Sequence, residues 1–167
     1  RAAPTPQPFI ASDRVAPPQH LAPGREYRSS SRFGGDCIAF AREPSTTITV
    51  GDFNADGVND LLVPHRNGGQ SRLYLGARGA RLTTLRAVAF GPPDAAIRVA
   101  QASDFDGDGR LDVVVIDARR GIAIYPGRGD GTFDSPWSVG GSTVVPYALT
   151  VADLDCDGRA DFVVGNV

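Results

Sequence analysis

The chain has no lysine and no methionine, so all 17 of its basic residues are arginine. Cysteine is nearly absent. Two residues, Cys37 and Cys156, are too few for a disulfide-built scaffold or a cysteine-based zinc site. They form one bridge in an oxidising compartment or stay as two thiols, since sequence does not fix the distance between them. Glutamate occurs only as Glu26 and Glu43, and histidine only as His20 and His65, which have no recognisable ligand spacing. Long hydrophobic runs are missing as well. None approaches the roughly 18 residues that a membrane helix needs, so no helix spans a bilayer. There is no nucleophile elbow, phosphate-cradling loop or histidine-rich zinc motif, so no enzyme machinery is recognisable. No nucleic-acid recognition motif accompanies the arginines. A chain that opens on Arg1 without Met reads as a processed product or as part of something longer.

What is present points to a turn-rich β protein. Hydrophobic residues make up 41% and charged residues 22%, a globular balance, while Gly 20 and Pro 13 favour strands and turns over helices. A length of 167 residues fits one domain or one piece of a larger ring. Six of the prolines fall within residues 1–24, which reads as an extended arm. Residues 25–167 read as the folded segment.

That segment repeats itself. Asp52 opens DFNADGVND, Asp104 opens DFDGDGRLD and Asp153 opens DLDCDGRAD, at spacings of 52 and 49 residues. Such a period belongs to propeller blades and similar arrays. Short strand-like segments precede each loop (TTITVG, VAQAS, ALTVA), with Ile48, Ala100 and Leu149 in phase, and Val50, Ala102 and Val151 in phase. After the loops come LLVP, VVVI and FVVG, which read as strands buried on both faces. SRLYLG then matches IAIYPG, and RAVAF and PWSVG read as outer strands. The expected unit is a four-stranded antiparallel blade with its acidic loop between the first and second strands. CIAFA (37–41) aligns with RAVAF as an outer strand without inner strands of its own. The expected fold is therefore all-β: a partial β-propeller with two complete blades and a C-terminal half-blade. Fewer blades than the roughly four to eight that close a ring imply completion from elsewhere.

The loops carry the chemistry. Counting from the first aspartate, positions 1, 3, 5 and 9 are Asp52, Asn54, Asp56 and Asp60; then Asp104, Asp106, Asp108 and Asp112; then Asp153, Asp155, Asp157 and Asp161. Gly57, Gly109 and Gly158 stand at position 6. These loops hold 11 of the 19 acidic side chains, a strongly self-repelling arrangement without a cation. Ca²⁺ accepts six to eight oxygens at flexible geometry, whereas Mg²⁺ demands a stricter octahedron. Positions 1, 3 and 5 offer side-chain oxygens, the carbonyls of Val58, Arg110 and Arg159 at position 7 offer another, and position 9 closes the shell. Up to three Ca²⁺ are expected. An EF-hand needs an acidic residue at position 12 and flanking helices. Position 12 is Val63, Val115 and Val164, in strand-like sequence.

These loops, DFNADGVNDLLV, DFDGDGRLDVVV and DLDCDGRADFVV, together with YPGRGDGTF, resemble FG-GAP/VCBS-type repeats of integrin-α-like β-propellers over roughly residues 37–167. The resemblance implies Ca²⁺ between the first two strands of each blade and an extracellular, periplasmic or cell-surface setting. Asn54 in place of an aspartate predicts a weaker first site, and Phe90-Gly91-Pro92-Pro93 lacks a clear GAP motif.

The remaining candidates have plain readings. Arg128-Gly129-Asp130 spells an adhesive tripeptide, but it sits in a glycine-rich turn that favours those residues for backbone reasons. Arg78, Arg81, Arg119, Arg120 and Arg128 lie on or beside turns and suit an anionic glycan, lipid or protein. Three dications would carry the net charge from −2 to +4. Trp137 and Tyr147 read as packing between blades rather than stacking on a sugar. The function expected is a calcium-stabilised, non-enzymatic binding or structural module with a protein partner or a second copy. A glycan-binding lectin and the non-catalytic propeller of a secreted enzyme are the alternatives. Should N-terminal outer strands complete the half-blade, Cys37 and Cys156 would approach each other.

Overall fold

The computed structural model describes residues 26–28, 36–38, 45, 47–80, 84–140 and 146–166. The arm expected over 1–24 lies outside the described residues. The chain divides into two compact units, residues 1–41 and 42–167. The first unit contains β1 (Glu26–Arg28) and β2 (Asp36–Ile38), paired antiparallel with Tyr27 opposite Cys37. The strand expected at 37–41 thus has a partner that the sequence did not advertise. Three residues of mixed charge, EYR, carry no alternating pattern to betray a strand.

The second unit is built from three successive sheets. β3 (Thr49–Gly51), β4 (Asp60–Val63), β5 (Ser71–Leu75) and β6 (Arg86–Phe90) form a four-stranded antiparallel sheet in chain order. β7 (Ile97–Ser103), β8 (Asp112–Asp117), β9 (Gly121–Tyr125) and β10 (Trp137–Val139) form the second. β11 (Pro146–Ala152) and β12 (Asp161–Asn166) form a two-stranded third. No α-helix occurs among the described residues, and none there is long and apolar enough to cross a membrane. The register is the same in each repeat: Gly51 faces Asp60, Ser103 faces Asp112, and Ala152 faces Asp161 across the mouth of its acidic loop. β7 and β11 are both irregular seven to five residues before the loop, between Ile97 and Val99 and between Pro146 and Ala148. A bulge there bends each first strand at the same place.

The main core lies between the first two sheets. Phe53, Leu62, Leu73 and Phe90 pack against Ile97, Ala100, Val113, Val115 and Tyr125. Phe133 seals one side of it, with its ring 4.9 Å from Phe90 and 5.9 Å from Phe53. All six residues of β8 are buried, as the run VVVI predicts. Each such valine adds about 1.5–3 kcal/mol through burial. β12 departs from that expectation: its side chains are half-buried or exposed. The same apolar run lies there in a sheet of two strands, with fewer neighbours to cover it.

Hydroxyls tie the first strands of neighbouring sheets together. Thr49 Oγ1 donates to Ala100 O at 2.8 Å, and Ala100 N donates to Thr47 Oγ1 at 3.3 Å. This places Thr49 against the second sheet and turns Ile48 and Val50 to the opposite face, where both are exposed.

Candidate metal centre

The three acidic loops fold alike because their first aspartate gathers the backbone. Gly57 N, Gly109 N and Gly158 N donate to Oδ2 of Asp52, Asp104 and Asp153, at 2.8, 2.8 and 3.0 Å. The amide at position 5 donates to the side chain at position 3: Asp56 to Asn54, Asp108 to Asp106, Asp157 to Asp155. The amide at position 7 donates to position 5, so Val58, Arg110 and Arg159 each bond Asp56, Asp108 and Asp157 at 2.8 Å. Successive Asx turns therefore coil each loop around its carboxylates. Position 6 needs left-handed backbone, at φ 79, 82 and 87°, which glycine adopts without cost. Position 4 needs it too. Gly107 meets that need freely, while Ala55 and Cys156 hold φ of 57 and 63° against their own Cβ.

Two of the loops bring carboxylates together. Asp104, Asp106 and Asp108 place one oxygen each within 4.8 Å of one another, and so do Asp153, Asp155 and Asp161. In the first loop the Asn54 amide instead donates to Asp56 at 2.9 Å. A donor set of oxygens alone suits a hard dication rather than a soft transition metal. In the second loop Arg110 Nε donates to Asp108 Oδ2 at 2.7 Å. That hydrogen bond holds the Asp108 carboxyl below its ordinary range. A cleft of about 470 Å³ separates the second and third loops and is lined by Asp104, Gly107, Asp153, Gly158 and Arg159 among others.

Position 9 has a further task that the sequence did not show. Asp60 accepts from Phe53 N at 2.9 Å and Gly76 N at 2.7 Å, one oxygen each. Asp112 accepts likewise from Phe105 N at 2.9 Å and Gly127 N at 2.8 Å. Both carboxylates are fully buried. They tie the loop entry to the turn after the third strand. Burial pushes both carboxyls above their ordinary value, and neighbouring loop aspartates add to this, while the amide donors pull the other way. Asp161 keeps one such bond, from Leu154 N at 3.0 Å, and joins the open cluster instead.

The other candidates resolve simply. Arg128 Nε donates to Asp134 at 2.8 Å, and Asp130 accepts from Thr132 N at 2.9 Å, so the tripeptide braces its own turn. Arg120 Nη2 bonds Asp94 at 2.7 and 2.8 Å, and Arg119 Nη1 reaches Asp94 O at 2.9 Å. Those arginines are thus engaged with acidic residues or backbone, and Arg81 lies outside the described residues. Trp137 and Tyr147 correct the reading of them as packed rings: both are exposed. β10 is an edge strand of three residues, so little covers Trp137. Cys156 is exposed and carries no bridge.

The sequence profile of the FG-GAP-like repeat matches twice, over residues 52–115 and 104–164. The chain belongs to that family. Each match opens on the first aspartate of an acidic loop and runs through the next loop, so the repeat unit is the one that the sheets and loops display. The matched stretch is narrower than the expected 37–167. No curated protein and no solved structure matches the chain.

Proposed function

We propose that the chain is a calcium-stabilised, non-enzymatic binding module that works outside the cytoplasm, within an oligomer or a larger complex. Its sheets are blades of a partial propeller, with residues 25–167 as the propeller segment and 1–24 as an arm. The carrying observation is the pair of convergent clusters, Asp104-Asp106-Asp108 and Asp153-Asp155-Asp161, held by backbone that is already coiled around them. Preformed oxygen cages lose little entropy on binding a hard cation, and the cation removes their mutual repulsion. Calcium here has a structural role, fixing the loops so that the surface beside them keeps one shape. Membership of the repeat family supports an extracellular, periplasmic or cell-surface setting. Weak sites of this kind also fill more readily where free calcium is high.

Thermal unfolding tests the proposal. A ligand that binds only the folded state, at a hundredfold over its dissociation constant, adds about 2.7 kcal/mol per site. For a domain of this size that is about 5–10 °C in Tm for each site. The chain should melt higher in millimolar calcium than in chelator by at least that step. Equal Tm values, with metal removal verified, would refute the calcium role.

A further inference from the structure

We propose that the chain binds a small organic oxyanion, an anionic group on a compact apolar body, in a cavity at the end of its sheets away from the acidic loops. This names a ligand class for the proposed binding role and rests on that part of the reading. The cavity shares no residue with the acidic loops, so the calcium role is tested separately.

A cavity of about 220 Å³ is lined by Thr47, Arg66, Arg98, Val99 and Tyr147. Thr47 stands before β3, Arg66 follows β4, Arg98 and Val99 open β7, and Tyr147 opens β11. Each acidic loop joins the end of a first strand to the start of a second, so these positions lie at the opposite end of every sheet. The walls come from all three sheets of the compact unit 42–167. Arg98 and Val99 belong to the second sheet, which has a neighbour on either side.

Two features make this a built cavity. First, Arg98 and Tyr147 are bulge residues. The register slips between Ile97 and Val99 in β7 and between Pro146 and Ala148 in β11. The residues set aside stand six positions before the first aspartate of their loops. A bulge takes its residue out of the ladder and re-aims the side chain, here from two strands into one lining. Second, backbone bonds fix Arg66 beside Arg98. Ile97 N donates to His65 O at 2.8 Å, and Gly69 N donates to Ala95 O at 3.2 Å, tying the turn after β4 to the start of β7. Arg66 and Arg98 are the next residues along from the bonded His65 and Ile97.

Charge identifies the ligand class. Elsewhere arginines meet acids: Arg110 bonds Asp108, Arg120 bonds Asp94 and Arg128 bonds Asp134. This cavity has two arginines and no acidic residue among its described lining. Two guanidiniums in one lining repel each other, and an oxyanion relieves that repulsion while accepting their N–H groups in pairs. The remaining lining selects what carries the anion. Val99, the Tyr147 ring and the arginine stems are apolar, and Thr47 adds a hydroxyl. So small a volume suits a single ring or a short branched chain.

Calorimetric titration of the full chain with benzoate, phenyl phosphate and inorganic phosphate tests this. Saturable one-site binding of benzoate or phenyl phosphate is expected, and the tighter of the two identifies the anion as carboxylate or phosphate. Inorganic phosphate should bind at least about tenfold more weakly, because it has no apolar body to bury. Arg98→Gln and Arg66→Gln should each weaken the bound probe by about tenfold or more. Arg66 is exposed, so its variant carries the test even if Arg98→Gln does not fold. Arg72, an exposed arginine of β5 outside the cavity, is the control, and Arg72→Gln should change nothing. Binding that survives both cavity substitutions, an equal loss in Arg72→Gln, or inorganic phosphate bound as tightly as the ring compounds would overturn the site. A chain that binds none of the probes but still melts higher in calcium would overturn it too, and would leave the calcium role standing.

Discussion

Asp112→Ala should lower unfolding stability by about 2–6 kcal/mol, measured by urea titration in chelator so that bound metal contributes nothing. The expectation follows from the place of this carboxylate. It is fully buried, and each of its oxygens takes one backbone N–H, from Phe105 and from Gly127. Truncation strands both donors away from water, at about 1–3 kcal/mol each. Asp112→Asn retains one acceptor oxygen and should cost less. The repeat provides its own control. Asp161 stands at the same position but is only half-buried and accepts one such bond, from Leu154 N. Asp161→Ala in chelator should therefore cost about 1 kcal/mol. Equal losses at the two positions would contradict the clasp.

Gly127→Ala should be comparably damaging, for a steric reason. A Cβ on Gly127 would lie 2.0 Å from Leu111 O, which is backbone and cannot swing aside. The same residue donates to Asp112, so backing away from Leu111 would stretch that bond. A loss of at least about 3 kcal/mol is expected in the same titration. Gly76 faces the same obstacle in the first sheet, with Asn59 O 2.2 Å from its would-be Cβ. Gly140 separates strain from clash: its φ is 82° but nothing lies near its Cβ. Gly140→Ala should cost only the left-handed penalty of about 1–2 kcal/mol. A loss at Gly127 no larger than at Gly140 would show that the turn has room to move.

The strands of the repeat, and the loops between them, were legible in sequence because two periodic signals coincide. Alternating or continuous apolar runs mark the strands, and an aspartate at every second loop position marks the turn between them. VVVI predicts a buried strand and β8 is one. The division of labour inside the loop was not legible. An aspartate at position 9 has the same letter whether it faces a cation or two buried amides, and only the fold shows Asp60 and Asp112 accepting from backbone. Gly76 and Gly127 left a trace, since each follows a third strand, but sequence reads them as turn glycines rather than as half of a clasp. Exposure was illegible for a different reason. Ile48, Leu154 and Val163 occupy core positions of the repeat, and whether a core position is covered depends on the neighbouring sheet. Trp137 and Tyr147 follow the same logic: an aromatic ring predicts burial only where a neighbour exists to bury it.

The proposed calcium role requires the clustered carboxylates of these loops to hold the ion. Calorimetric titration of Ca²⁺ into chelator-stripped protein tests it most directly, with Asp106→Ala and Asp155→Ala as paired variants. Saturable binding to at least two sites is predicted, with one site lost in each variant, because each substitution opens one of the two convergent clusters. Absence of saturable binding in the unsubstituted chain, or full binding in the double variant, would contradict it.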